Sequence, residues 1–152
     1  MATKLTGFRE KPFTSKGFAM FGLFSLFNRN TALDGALRDV GIHPVLVPEA
    51  VKITITRMQK RSGEGRKAEA FYRDAAELLG YCMLGQEFFI ESNSAFAADR
   101  VEERIEAAVE AGNSDDAQLI LLALHSGLMT EDVVERFDLE DDHETSGQSL
   151  TD

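Results

Sequence analysis

Between Lys67 and Phe137 the chain repeatedly sets apolar residues three and four apart, and it interrupts that period with glycines and short polar residues. This is the pattern of amphipathic helices joined by tight connections, and it constrains the fold more than any other feature of the chain. Phe71, Ala75, Leu78, Leu79 and Cys82 form one face of a long helix, with Gly80 and Gly85 weakening its end. Gln86 to Ser92 extends that helix or packs as a short one of its own. Asn93 and Ser94 offer caps to a helix over about 96–111. Its Val101, Ile105, Ala108 and Val109 are expected to point inward, and its Glu102, Glu103, Glu106 and Glu110 outward. Gly112 stops it.

Asn113 or Ser114 caps the following helix, and Asp115 and Asp116 suit its positive N-terminal end. The body of that helix, Leu119 to Leu124, is apolar on every side, which predicts a place at the centre of the core. Gly127 ends it. Thr130 caps a last helix, with Met129 placed to staple onto Val134, and Val133, Val134 and Phe137 directed inward.

Upstream, Thr31 and Asp34 resemble a capping box, Leu33, Ala36, Leu37 and Val40 form a face, and Gly41 followed by His43-Pro44 ends the helix. Residues 45–61 carry two patterns. Val51, Ile53 and Ile55 alternate with Lys52, Thr54 and Thr56, as in a strand. Pro48 at a helix start, with Val51, Ile55 and Met58 at helical spacing, reads as a helix over about 48–61. The helix is preferred, because a lone strand among helices lacks a partner. Arg61 to Arg66, with Gly63 and Gly65, reads as a turn.

The ends differ from the middle. Residues 1–16 contain Lys4, Arg9, Lys11 and Lys16 against Glu10, with Gly7 and Pro12 opposing a helix, and read as a flexible basic arm. Residues 17–28 hold Phe18, Phe21, Phe24 and Phe27 at every third position, with Met20, Leu23 and Leu26 between them. As a helix this segment is apolar nearly all round, so something must cover it. Residues 139–152 are Asp, Glu, Ser, Thr and Gly in the main and read as a disordered acidic tail. The expected fold is therefore all-α: a compact bundle of five to seven helices over 17–138, between that arm and that tail.

Hydrophobic residues make up 43% of the chain, enough for a packed core without metal or disulfide. Cys82 is the sole cysteine, which fits a reducing compartment, and the expected location is the cytoplasm. No run approaches the roughly 20 apolar residues that span a bilayer; the longest are 18–27 and 117–124. The lysines before Phe18 resemble the start of a signal peptide, but Asn28-Arg29-Asn30 follows, without a small-residue cleavage pattern.

Charge is unevenly placed. Residues 1–100 sum to +3 and residues 101–152 to −13. The acidic half repels phosphate backbones, so nucleic acid is not an expected partner, whereas basic proteins are attracted. Residues 117–138 resemble two helices of a helix-turn-helix reader, but the second offers Glu131, Asp132 and Glu135 where bases need Arg, Lys, Asn or Gln. Glu103, Glu106 and Glu110 line one side of a helix opposite its apolar stripe, forming a solvated face or a docking face for a basic partner. The cluster Arg57, Lys60, Arg61, Arg66 and Lys67 reads as solvated helix ends, with an anion or membrane-surface patch as the alternative.

Nothing in the sequence assigns catalytic residues, metal ligands or a cofactor. His43, His125 and His143 are scattered, and Cys82 sits on an apolar face without a histidine beside it. No nucleophile elbow, phosphate-binding loop or dinucleotide fingerprint is present. The leading expectation is a non-enzymatic protein-interaction module whose partner is another protein, with a basic surface or a hydrophobic groove. The alternative is peripheral membrane association through Phe18, Phe21, Phe24 and Phe27 and the nearby lysines. A third is an enzyme whose groups converge only in the fold.

Overall fold

A computed structural model describes residues 31–62 and 67–139. Among them are six α-helices and no strand. Helix α1 covers 31–39. A short 3-10 turn, Pro44–Leu46, leads to α2, Glu49–Arg61. The rest are α3 (Ala68–Ser92), α4 (Ala95–Ala111), α5 (Asp115–His125) and α6 (Glu131–Arg136). The expectations for the arm 1–16, for the segment 17–28 and for nearly all of the tail fall outside the described residues.

The centre of the bundle is α3, which packs against α2, α4, α5 and α6. It carries Tyr72, Tyr81 and Phe89, three of the largest fully buried side chains. Tyr81 meets Phe89 edge to face at 5.5 Å between ring centres and Phe137 at 6.3 Å. Edge-to-face geometry sets the positive rim of one ring against the negative face of the other.

The caps anticipated from sequence are in place. Ser94, Ser114 and Thr130 accept hydrogen bonds from the backbone N–H groups of Ala97, Ala117 and Val133, at 3.0, 3.1 and 3.3 Å. Three helices end in the same way. Past α1, Gly41 N–H donates to Arg38 and Ile42 N–H to Leu37; past α5, Gly127 and Leu128 donate to Leu124 and Ala123; past α6, Asp138 and Leu139 donate to Glu135 and Val134. Each is a Schellman closure, which satisfies carbonyls that the helix leaves orphaned. The residue at the turning point has positive φ: 101° at Gly41, 72° at Gly127 and 54° at Asp138.

Residues 49–61 are helical, and the alternation that looked like a strand has a local explanation. The hydroxyls of Thr54 and Thr56 donate to the carbonyls of Ala50 and Lys52, four residues back, both at 2.9 Å. Threonine thus satisfies itself within the helix and does not need a polar face of its own. Val51, Ile55 and Met58 then form the buried stripe. Lys52 is also buried, with its ammonium 3.0 Å from the Asp34 carboxylate of α1.

Gly80 holds α1 against α3 and does not weaken a helix end. A Cβ at this position would lie 2.8 Å from Cγ2 of Val40. The join is completed by Asn93, whose side-chain amide donates to the Val40 carbonyl at 3.0 Å.

Candidate interaction surface

On α4 the inner stripe is Ala98, Val101, Ile105 and Ala108, all buried. Val109, expected inside, is 48% exposed. It sits at the margin of the stripe, where a helix of 3.6 residues per turn has rotated most of the way out of the core. On α5 only one flank is buried, through Ala117, Leu119, Ile120 and Ala123, and Leu121 is 48% exposed. The expectation of a helix enclosed on all sides is thus corrected: α5 lies on α3, α4 and α2 but keeps an open flank. Val109 and Leu121, with Ala108, Ala117, Ile120 and Leu139, line a groove of about 200 Å³. That is below the roughly 300–1,000 Å³ of small-molecule pockets.

The charges beside the groove are sorted by helix face. Glu103, Glu106 and Glu110 are exposed, as anticipated, with Glu106 one turn before Val109 and Glu110 next to it. The two arginines of α4 lie on another side. Arg104 donates to both oxygens of Asp116, at 3.1 and 2.8 Å, and stands 3.6 Å from Glu77. Burial alone would lower its pKa, but the bonds to Asp116 and the charges of Asp116, Asp74 and Glu77 outweigh it, so the guanidinium is held more firmly charged than usual. Arg100 donates to Glu77 and covers the ring of Phe96 at 5.6 Å. These pairs tie the cations of α4 to Glu77 of α3 and Asp116 of α5, with Arg100 half-exposed, and leave Glu103, Glu106 and Glu110 as the exposed charges of α4 nearest the groove.

Glu102 departs from the expected outward row. Its carboxylate accepts from the Tyr81 hydroxyl at 2.6 Å and from the Gln86 side-chain amide at 2.8 Å. Burial first, and the bond to Glu102 second, push the Tyr81 phenol well above its ordinary range. Gln86 lies beside a break in α3: Gly85 has φ 85° and ψ 167°, a conformation confined almost entirely to glycine. The break frees the Cys82 carbonyl and the Gln86 N–H from the helical ladder. The Thr130 N–H donates to the first at 3.0 Å, and the second donates to the Asp132 carboxylate at 3.2 Å. Arg136 donates to the Gln86 side-chain oxygen at 2.7 Å. The start of α6 therefore replaces the missing turn of α3.

The remaining candidates are placed as follows. Cys82 is 1% exposed, and burial pushes its thiol up to about 12, against a small opposing effect of Arg104. At neutral pH it is a protonated, enclosed thiol and a poor nucleophile. His43 is exposed, and its Nδ1 accepts from the Val45 N–H at 3.2 Å, capping the 3-10 turn. His125 is exposed in the last turn of α5, and His143 lies outside the described residues. Among the described residues no three His, Cys, Asp or Glu side chains gather as a metal-ligand set, and no helix is long and apolar enough to cross a membrane. Of the basic cluster, Arg57, Lys60, Arg61 and Lys67 are exposed, and Arg61 donates to Gln118 at 2.8 Å. Phe18, Phe21, Phe24 and Phe27 lie outside the described residues.

Glu103, Glu106 and Glu110 are exposed, and the groove beside them was not anticipated from the sequence. The available signal was the position of Val109, between Glu106 and Glu110, at the edge of the apolar stripe. Comparison with protein-family models, with curated proteins and with solved structures returned no match.

Proposed function

We propose that this protein is a non-enzymatic interaction module that docks a basic, amphipathic protein segment on the outer face of α4 and α5. One observation carries the reading: an open apolar groove at Val109 and Leu121 lies directly beside the exposed carboxylates of Glu106 and Glu110. Apolar side chains of the partner fill the groove and its cations meet the acidic rim, so burial supplies affinity and charge supplies orientation and rate of encounter. The −13 charge of residues 101–152 extends the same attraction beyond the contact.

The test is a titration of methyl-labelled protein with a synthetic basic amphipathic peptide bearing Leu and Phe anchors. The Val109 and Leu121 methyls are expected to shift, with binding weakened by added salt and abolished in the Val109→Glu/Leu121→Glu variant. Because both side chains are half-exposed, that variant keeps its fold. Binding that ignores salt, or that persists in the variant, refutes the reading.

A further inference from the structure

The groove needs a ligand with bulky apolar residues spaced along one face and cations close by. The chain contains one. Residues 17–28 place Phe18, Phe21, Phe24 and Phe27 at every third position, and residues 1–30 carry Lys4, Arg9, Lys11, Lys16 and Arg29 against the single acid Glu10, a net of +4. Residues 17–28 are themselves uncharged, but Lys16 and Arg29 flank them, so the stretch 1–30 is opposite in charge to the face beside the groove while 17–28 supplies the apolar surface that water cannot cover. The acidic tail that follows Leu139 has neither property: it repels Glu106 and Glu110 and offers Leu150 as its one large apolar residue.

We infer that residues 17–28 are the resident occupant of the α4–α5 groove, an intramolecular plug that an outside partner must displace. The inference rests on the docking reading above and adds a regulatory step to it. A folded body of about a hundred residues has a radius of gyration near 13 Å. The ten residues from Thr31 back to Phe21 span about 33–36 Å when extended. Tethering gives the segment a millimolar effective concentration, so even a weak contact keeps the groove closed for most of the time. A groove closed nine-tenths of the time lowers the apparent affinity of an outside ligand about tenfold.

The experiment compares the full-length protein with its Phe21→Ser/Phe24→Ser variant, both methyl-labelled. In the unchanged protein the rings of the segment shift the Val109 and Leu121 methyl resonances. The variant loses those shifts, while the enclosed Leu33 and Val133 methyls report the same fold in both. The synthetic basic peptide then binds the variant about tenfold more tightly. Shifts that are constant over a twentyfold range of protein concentration support the intramolecular form, and a concentration dependence assigns the contact to a second copy and overturns it. Equal Val109 and Leu121 shifts in the two proteins, with equal peptide affinity, overturn the plug and leave the docking reading intact. Failure of the peptide to bind either protein at the groove overturns the docking reading itself. If anionic phosphatidylserine vesicles capture the unchanged protein but not the variant, and the groove methyls do not respond to the substitutions, the segment is a membrane contact and the plug is refuted.

Discussion

The Thr130 backbone N–H donates to the Cys82 carbonyl at 3.0 Å, across the break that Gly85 opens in α3. A residue of the α5–α6 connection thus completes a helix that began more than sixty residues earlier. Thr130 does two things at once, since its hydroxyl also caps α6 by accepting from Val133. The geometry of α6 and the bend of α3 are for that reason one structural unit.

Gly85→Ala is expected to cost about 1–3 kcal/mol, the strain of placing a side chain in a glycine conformation. The added Cβ has room, 3.4 Å from the Asp132 carboxylate, so the cost is conformational. Gly80→Ala is expected to cost a similar amount, about 1–3 kcal/mol, for the opposite reason: its backbone is helical, but the Cβ overlaps Val40. Urea denaturation of the two variants checks both. If Gly85→Ala is neutral, the break does not have the conformation described.

Two substitutions are expected to stabilise. Gly35 lies inside α1 with nothing within 4 Å of an added Cβ, so Gly35→Ala should raise stability by about 0.5–1 kcal/mol. Asp138 turns the chain after α6 at φ 54°, the position filled by glycine after α1 and α5. Asp138→Gly should add about 0.5–1 kcal/mol by relieving the left-handed strain. The midpoint of thermal unfolding should rise in each single variant.

Two buried tyrosines should respond differently to loss of their hydroxyls. The Tyr81 hydroxyl is bonded to Glu102, and Tyr81→Phe leaves that carboxylate with the Gln86 amide only. A cost of about 1–3 kcal/mol is expected. The Tyr72 hydroxyl is enclosed and has no hydrogen-bond partner among the described residues. Tyr72→Phe should therefore be neutral or stabilising, since an unsatisfied hydroxyl is removed with little change in shape. Equal destabilisation of the two variants in denaturant titrations argues against the Tyr81–Glu102 bond.

Cys82 should resist alkylation. With its thiol pushed up to about 12, iodoacetamide at pH 8 should leave the folded protein unmodified while alkylating the unfolded chain, as read by intact mass. The same shift fixes the sign of an alkaline effect. The folded state holds this proton more tightly than the unfolded chain, whose thiol titrates near 9.0. Its contribution to stability is complete below about pH 9 and is lost as pH rises toward about 12. The Tyr81 phenol, also pushed up, acts in the same direction at higher pH. Cys82→Ala should flatten the fall of stability between pH 9 and 12.

Much of the fold was legible without coordinates. Ser94, Ser114 and Thr130 announce helix starts, and Gly41, Gly112 and Gly127 announce stops, because capping is a local interaction between a residue and its near neighbours. The same locality makes Leu33, Leu37, Val101 and Ile105 readable as core. The acidic row Glu103, Glu106 and Glu110 was legible for the same reason: three positions on one helix determine a face.

Tertiary structure decided what depends on a second element. Val109 and Leu121 have the composition of core residues, and only the placement of α5 across α4 leaves them open beside those carboxylates. Glu102 belongs by sequence to the outer row, and only its approach to Tyr81 and Gln86 draws it in. Gly80 and Gly85 are alike as letters, yet one admits Val40, in the turn that ends α1, and the other bends α3 to receive Thr130 of the α6 cap. Local chemistry sets where a helix begins, where it ends and which stripe it tends to bury. How much of that stripe is covered depends on neighbours distant in the chain, and no period in the sequence records them.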